Sequence, residues 1–245
     1  MTDWPKIRTV GLSGILVTFA GEMSEKANRA ALALRAEVEA QGWDTVTETS
    51  TSLVSTFLSV NLALVPPQDI IGRVQDVLNS RDWYAADLPT GRTLWRIPTV
   101  YGTQLAPQLE EAAAAAGVDA NAAIQELSTA RVRVLTLGFA PGQPFSGMLS
   151  DRWNIPRQQA LTKEVPPGAL VVAIRQLIIF TNAAPTGWRH IGQTAFRNFR
   201  PDSDRPIALS PGDELCFPQI SAAELEHIRA RDSSGDGGAE RQVLT

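Results

Sequence analysis

The sequence predicts an α+β protein in which a small two-layer α/β unit over residues 1–88 precedes a β-rich unit over 89–231 and a disordered tail over 232–245. Three observations predict it. Helical spacing of apolar residues alternates with short β-type runs before Asp87. After Arg131 the pattern becomes short apolar runs broken by Pro and Gly, as in a closed or nearly closed β structure. From Asp232 the run DSSGDGGAERQ has the composition of a disordered segment.

The elements follow in order. Residues 9–19, TVGLSGILVTF, read as a strand entered through a Gly-containing turn. From Met23 to Ala40, Met23, Ala27, Ala30, Ala31, Leu34 and Val38 recur at helical steps, and Gly42 supplies a left-handed stop. Val46 and the group Leu53, Val54, Phe57 and Leu58 suggest two short β segments separated by the polar run 47–52, TETSTS. Pro66-Pro67 opens a helix over 68–79 with Ile70, Ile71, Val74, Val77 and Leu78 on its inner face. DLPTG, 87–91, reads as a linker.

In the second unit a strand at 92–97 leads into helices over 105–116 and 119–128, divided by Gly117-Val118. The alanine run 112–116 is explained by helix propensity. Strands are expected at 132–139, 169–174, 177–181, 196–199 and 214–217. Ser221 with Glu224 three residues on is a capping-box signature for a last helix ending near 231.

Composition narrows the function. A net charge of −4 gives nothing to attract a polyanion, so nucleic acid is not an expected partner. No apolar stretch is long enough for a transmembrane helix, and the segment MTDWPKIRTVG lacks the apolar core of a signal peptide, so a cytoplasmic protein is expected. The single cysteine, Cys216, excludes an intramolecular disulfide and reads as a buried structural thiol. There are two histidines, too few beside one cysteine for a zinc site, and no metal is expected. Phosphate-loop, dinucleotide, zinc-protease and nucleophile-elbow motifs are absent. His227 falls on the solvated side of the last helix. His190, beside Gly187-Trp188, is open between a structural role and a ligand contact.

The informative stretch is GFAPGQPFSGML, 138–149: paired Pro/Gly turns after an apolar strand, with an aromatic on each side. Such a loop presents backbone N–H groups suited to a carboxylate or amide ligand. A plain tight connection between strands accounts for the same pattern.

The loop resembles the G-F-x-P-G-F-P-Y-x-x-G-L segment of the family that includes the 5-oxoprolinase B subunit, allophanate hydrolase subunit 1 and the kinase inhibitor KipI, and that forms subdomains C and D of the carboxyltransferase domain of urea carboxylase. Collinear segments resemble it too: IPTVYG (97–102), LAPQLEEAAAAAGV (105–118), IPR (155–157), VPPGAL (165–170), TGWRHIGQT (186–194) and SPGDELCF (210–217). The resemblance implies that the β-rich unit is a cyclophilin-like β barrel. It implies a hydrolase subunit that is active only with a larger partner, of the type of the 5-oxoprolinase C subunit or allophanate hydrolase subunit 2. A LamB/YcsF-type subunit joins some of these complexes. The implied substrate is a small lactam or urea-type amide, and ATP is used by the assembled complex. No cofactor is assigned to this chain.

Carried onto this sequence, Phe139, Pro141, Gly142, Gln143 and Pro144 line the ligand, Gln176 offers its amide, Trp188 an apolar face, and His190 a further contact. Catalytic groups are not assigned. Departures are clear. Ser128 stands where the family has the histidine of E-L-H, Gln143 replaces an aromatic, Leu161-Thr162 replaces a Pro-Arg pair, and of the polar Q-T-G-I-Y-P segment only Gln176 survives in 176–181. Two other readings fit the resemblance: a KipI-like regulator of a histidine kinase, and a carboxyl-transfer component served by carboxybiotin carried on another protein.

Overall fold

The structure is a computed structural model describing residues 4–61 and 64–244. The first three residues of the N-terminal segment therefore lie outside the described residues. The chain divides at Thr90/Gly91 into two compact units.

The first unit contains β1 (Lys6–Val10), β2 (Gly14–Thr18), α1 (Glu25–Gln41), β3 (Val46–Ser52), β4 (Ser55–Val60) and α2 (Pro67–Asn79). Its strands pair antiparallel in the order β1-β2-β4-β3. α1 starts where the Ser24 hydroxyl accepts the Ala27 N–H at 3.2 Å and stops at Gly42, whose φ of 59° is left-handed. Ala27, Ala30, Ala31, Leu34 and Val38 of α1 pack with Ile15, Val17, Leu58 and, from α2, Ile70, Val74 and Val77.

Two expectations need correction here. The strand read over 9–19 is a hairpin, because residues 11–13 turn and β1 runs back along β2. The polar run TETSTS belongs to β3. Ladder bonds to β4 and the strand preference of threonine carry it without an apolar stripe, and the turn falls instead at Leu53, with φ 51°.

The second unit runs β5 (Thr93–Arg96), β6 (Thr99–Tyr101), α3 (Leu109–Ala115), α4 (Ala120–Thr129), β7 (Val132–Leu137), β8 (Pro144–Gly147), β9 (Thr162–Val165), β10 (Ala169–Ala173), β11 (Gln176–Ile179), β12 (Ala184–Thr186), β13 (Arg189–Thr194), β14 (Glu214–Cys216), α5 (Ala222–Arg231) and β15 (Glu240–Val243). Strands pair in the order β7-β8-β11-β10-β13-β6. β14 lies antiparallel to β7 and parallel to β5, and β15 extends β5. A separate ribbon pairs β9 with β12. Between β6 and the chain after β14 the link is a bridge, Thr99 to Gln219, beside which the Tyr101 hydroxyl donates to the Phe217 carbonyl at 2.9 Å.

One face of this sheet carries the main core: Trp95, Ile97, Val134, Leu170, Val172, Leu177, Ile191 and Phe217 packed with Leu109, Ala112 and Leu127 of the helices. Asp213 ties the core edge together. Its carboxylate accepts the Thr93 N–H at 2.7 Å and the Ser210 N–H at 2.9 Å.

Two more expectations are overturned. FRNF, 196–199, is not a strand; its only ladder contact is a bridge from Phe199 to Ile207, and Asn198 points inward as a strut. The tail is ordered. The Asp232 carboxylate accepts the N–H groups of Ser234, Gly235 and Gly237, Arg200 pairs with Asp236 at 2.8 Å, and β15 then adds to β5. Polar composition predicts disorder when burial is the sole stabiliser; here hydrogen bonds and strand addition order the chain.

Candidate functional site

The loop after β7 closes on itself: Gly138 N–H donates to the Gln143 carbonyl, and Gln143 N–H to that of Ala140, both at 3.0 Å. Phe139 sits in the left-handed region with φ 69° and is 85% exposed. A bulky residue held there carries backbone strain, which points to a constraint beyond packing. Pro141 is exposed, Gly142 is buried, and Pro144 enters β8.

Gly142 is favoured by its φ of 67°, which side chains other than glycine's rarely adopt. Its carbonyl accepts from the Asn198 side chain, whose oxygen in turn accepts the Leu209 N–H at 2.8 Å. Asn198 thus fixes the loop to the 208–209 segment. Gln143 is 2% exposed, and its Oε1 has no partner.

β8 carries the loop into the sheet, where register decides which predicted residues meet. Opposite residues of antiparallel strands point to the same face. One row runs His190, Val171, Ile178, Phe145 across β13, β10, β11 and β8; the next runs Ala173, Gln176, Gly147. Gln176 and His190 therefore share a face. Trp188 joins that face, packing with Val165, Ala169, Val171, Ala173, Ile178 and Phe180. Its ring meets Phe145 edge-on at 6.3 Å. Gly147 leaves the room that Gln176 needs, for a Cβ there would stand 3.3 Å from the Gln176 Cγ.

The bulge between Leu170 and Val171 brings a further residue onto this face, because Gln193 pairs with Ala169 while His190 pairs with Val171. The amide of Gln193 has a fixed orientation: its nitrogen donates to the carbonyls of Pro167 (2.9 Å) and Thr194 (3.0 Å). Its Oε1 lies buried towards His190 without a well-formed hydrogen bond, and Nε2 of His190 is likewise without one. Burial lowers the His190 pKa, against opposing contacts with the Gly192 backbone and the Gln193 side chain. A neutral imidazole follows at neutral pH, fit for hydrogen bonding. The His190 backbone is clamped by Gln108, whose Oε1 accepts the His190 N–H at 2.9 Å and whose Nε2 donates to Gln158 at 2.7 Å.

Sequence reasoning missed Gln193, Gln108, Gln158 and Asn198. Only Gln193 left a trace, inside the segment TGWRHIGQT that carries the family resemblance. The remaining chemistry is sparse. Cys216 is buried, with its thiol donating to the Ser128 carbonyl at 3.3 Å, and His227 is exposed on α5. Among the described residues no three His, Cys, Asp or Glu side chains converge on a metal position. Likewise, no described helix is long and apolar enough to cross a membrane.

A family model described as the carboxyltransferase domain, subdomain C and D, matches residues 5–209. The chain is 30% identical over 228 residues to the 5-oxoprolinase B subunit of Bacillus subtilis (strain 168), covering 90% of this chain and 95% of that one. Among solved structures, TTHA0988 is similar with a TM-score of 0.71 and 24% identity, over 89% of this chain and 40% of that one. The K. lactis urea amidolyase is similar with a TM-score of 0.70 and 18% identity, over 98% of this chain and 16% of that one. Both structural likenesses are of fold, and this chain spans less than half of either protein.

Proposed function

Because the chain belongs to the family of the carboxyltransferase domain, subdomains C and D, we propose that it is the smaller subunit of a heteromeric amidohydrolase of the 5-oxoprolinase type. Its substrate is a small lactam or urea-type amide, and the assembled complex uses ATP. The observation that carries this reading is the end-to-end similarity to a 5-oxoprolinase B subunit, over 95% of that protein's length.

In this reading the ligand lies against the face shared by Gln176, Trp188 and His190, with the 138–144 loop beside it. Phe145 and Trp188 offer an apolar edge to a small ring. Gln176 supplies both a donor and an acceptor to an amide edge. His190, neutral through burial, contributes a hydrogen bond rather than a charge. No residue of this chain is assigned as nucleophile or base; the larger subunit supplies them. The cyclophilin-like barrel belongs to the same proposal, with the Thr99–Gln219 bridge as its seam. The chain's two domains are then the units on either side of Thr90/Gly91, the second including β15, and the compartment is the cytoplasm.

The test is co-expression with the larger subunit, with a LamB/YcsF-type protein added. The expected result is a complex that survives size-exclusion chromatography, through an interface above about 1,000 Å², and that hydrolyses ATP only when 5-oxoproline or another small lactam or ureido compound is present. A small subunit that stays monomeric beside its partner refutes the proposal, as does a complex that accepts carboxybiotin but opens no amide.

A further inference from the structure

The second unit holds a cleft of about 290 Å³ next to Gln193, at one end of the sheet face described above. Its floor is Pro167–Gly168 and Thr194–Arg197, and its rim is Arg229 and Asp232. Three of the floor carbonyls are satisfied from within. That of Gly168 accepts the Thr194 N–H at 2.9 Å and hydroxyl at 3.1 Å, and those of Pro167 and Thr194 accept from Gln193. They therefore set little negative potential against a ligand.

The charged groups are not balanced in the same way. Arg197 is exposed, and among the described residues no carboxylate pairs with its guanidinium. Arg229 pairs with Glu226 at 2.8 Å, but both side chains are well exposed, and such a pair holds weakly. Arg200, nearby, is already committed to Asp236 and the Gly235 carbonyl. The one acid on the rim, Asp232, has its oxygens occupied by the N–H groups of Ser234, Gly235 and Gly237 and by the Ser234 hydroxyl. Its charge is met locally, whereas of the two guanidinium groups lining the cleft Arg197 has no carboxylate partner among the described residues and Arg229 has only the exposed Glu226.

We propose that this cleft binds a small oxyanion, a carboxylate or phosphate compound, between Arg197 and Arg229. Guanidinium pairs suit either chemistry because their planar forks match two oxygens at once. At roughly 30 Å³ per water the cleft has the volume of about ten waters, room for a bare phosphate or a small carboxylate compound. The rim is the end of α5 and its C-cap Asp232, whose carboxylate holds the segment that follows, so binding and docking of this part of the chain are linked. Gly237 packs so closely that a Cβ would stand 2.7 Å from the Ala195 carbonyl oxygen. An anion that binds only the docked form stabilises it by mass action.

The experiment uses the full chain with two probes, inorganic phosphate and 5-oxoproline, in equilibrium dialysis and limited trypsin digestion. Expected is saturable binding of at least one probe, weaker at high salt, with slower cleavage after Arg229 and Arg231. Arg197→Gln lowers that affinity about tenfold or more and leaves the thermal melt unchanged, while Arg197→Lys retains part of the binding. Phosphate alone, or 5-oxoproline alone, identifies the source of the oxyanion. The proposal is overturned if neither probe binds or slows cleavage. It is equally overturned if binding persists in Arg197→Gln but is lost in Gln176→Ala, which places the ligand on the sheet face and leaves the proposed function intact.

Discussion

Replacing Asn198 by alanine isolates the support of the 138–144 loop. Asn198 is 1% exposed, and its side chain joins the Gly142 carbonyl on one side to the Leu209 N–H on the other, the latter at 2.8 Å. Alanine leaves both backbone groups without a partner. Each buried orphan costs about 1–3 kcal/mol, so the pair costs about 2–6 kcal/mol, towards the lower end if water enters the space. Urea denaturation of the full chain measures it, with an unchanged slope showing that the unfolded reference has not moved. Asn198→Asp supplies the sign. It keeps an acceptor for Leu209 but sets a carboxylate against the Gly142 carbonyl, so its folded carboxyl is raised above the unfolded value. Stability is then recovered as pH falls and the proton donates to Gly142, and is lost as pH rises. A loss below about 1 kcal/mol in Asn198→Ala, or an aspartate variant most stable at neutral pH, refutes the assignment of Asn198 as the strut of the loop.

Three further outcomes are expected. Gln176→Ala weakens substrate use about 2- to 12-fold, the equivalent of one net hydrogen bond, in the reconstituted complex; a lowered melt with unchanged turnover per folded molecule makes Gln176 a packing residue only. Trp188→Ala costs about 3–5 kcal/mol in urea denaturation, through the cavity left beside Phe145 and Val171; a loss under about 2 kcal/mol contradicts its burial. For His190 the folded pKa lies below the ordinary value of 6.5, so the folded state binds fewer protons than the unfolded one at mildly acid pH. Its share of stability is present above that value and declines as pH falls below it, and urea midpoints at neutral and mildly acidic pH should converge in His190→Gln.

What the sequence discloses depends on which force forms each element. α1 and α2 are legible because burial of one face forms them, and a helical stripe with Ser24, Gly42 and Pro67 at the ends records it. β10 and β11 are legible as apolar runs because both of their faces are buried. β3 and β15 are not, since backbone pairing forms them and their side chains are largely exposed. The same division governs the candidate site. Gln176, Trp188 and His190 are reached through resemblance to a family, but their meeting on one face follows from register. The bulge at Leu170/Val171 sets that register, and no periodicity in the sequence announces it. Without the bulge, Gln193 and His190, three positions apart on one strand, would point to opposite faces. With it, the buried Gln193 oxygen and the His190 ring lie on the same side as Gln176. A single inserted residue thus gathers the polar groups on this face, and a deletion that restores regular pairing in β13 should turn Gln193 away from His190 while leaving the sequence motifs of the strand in place.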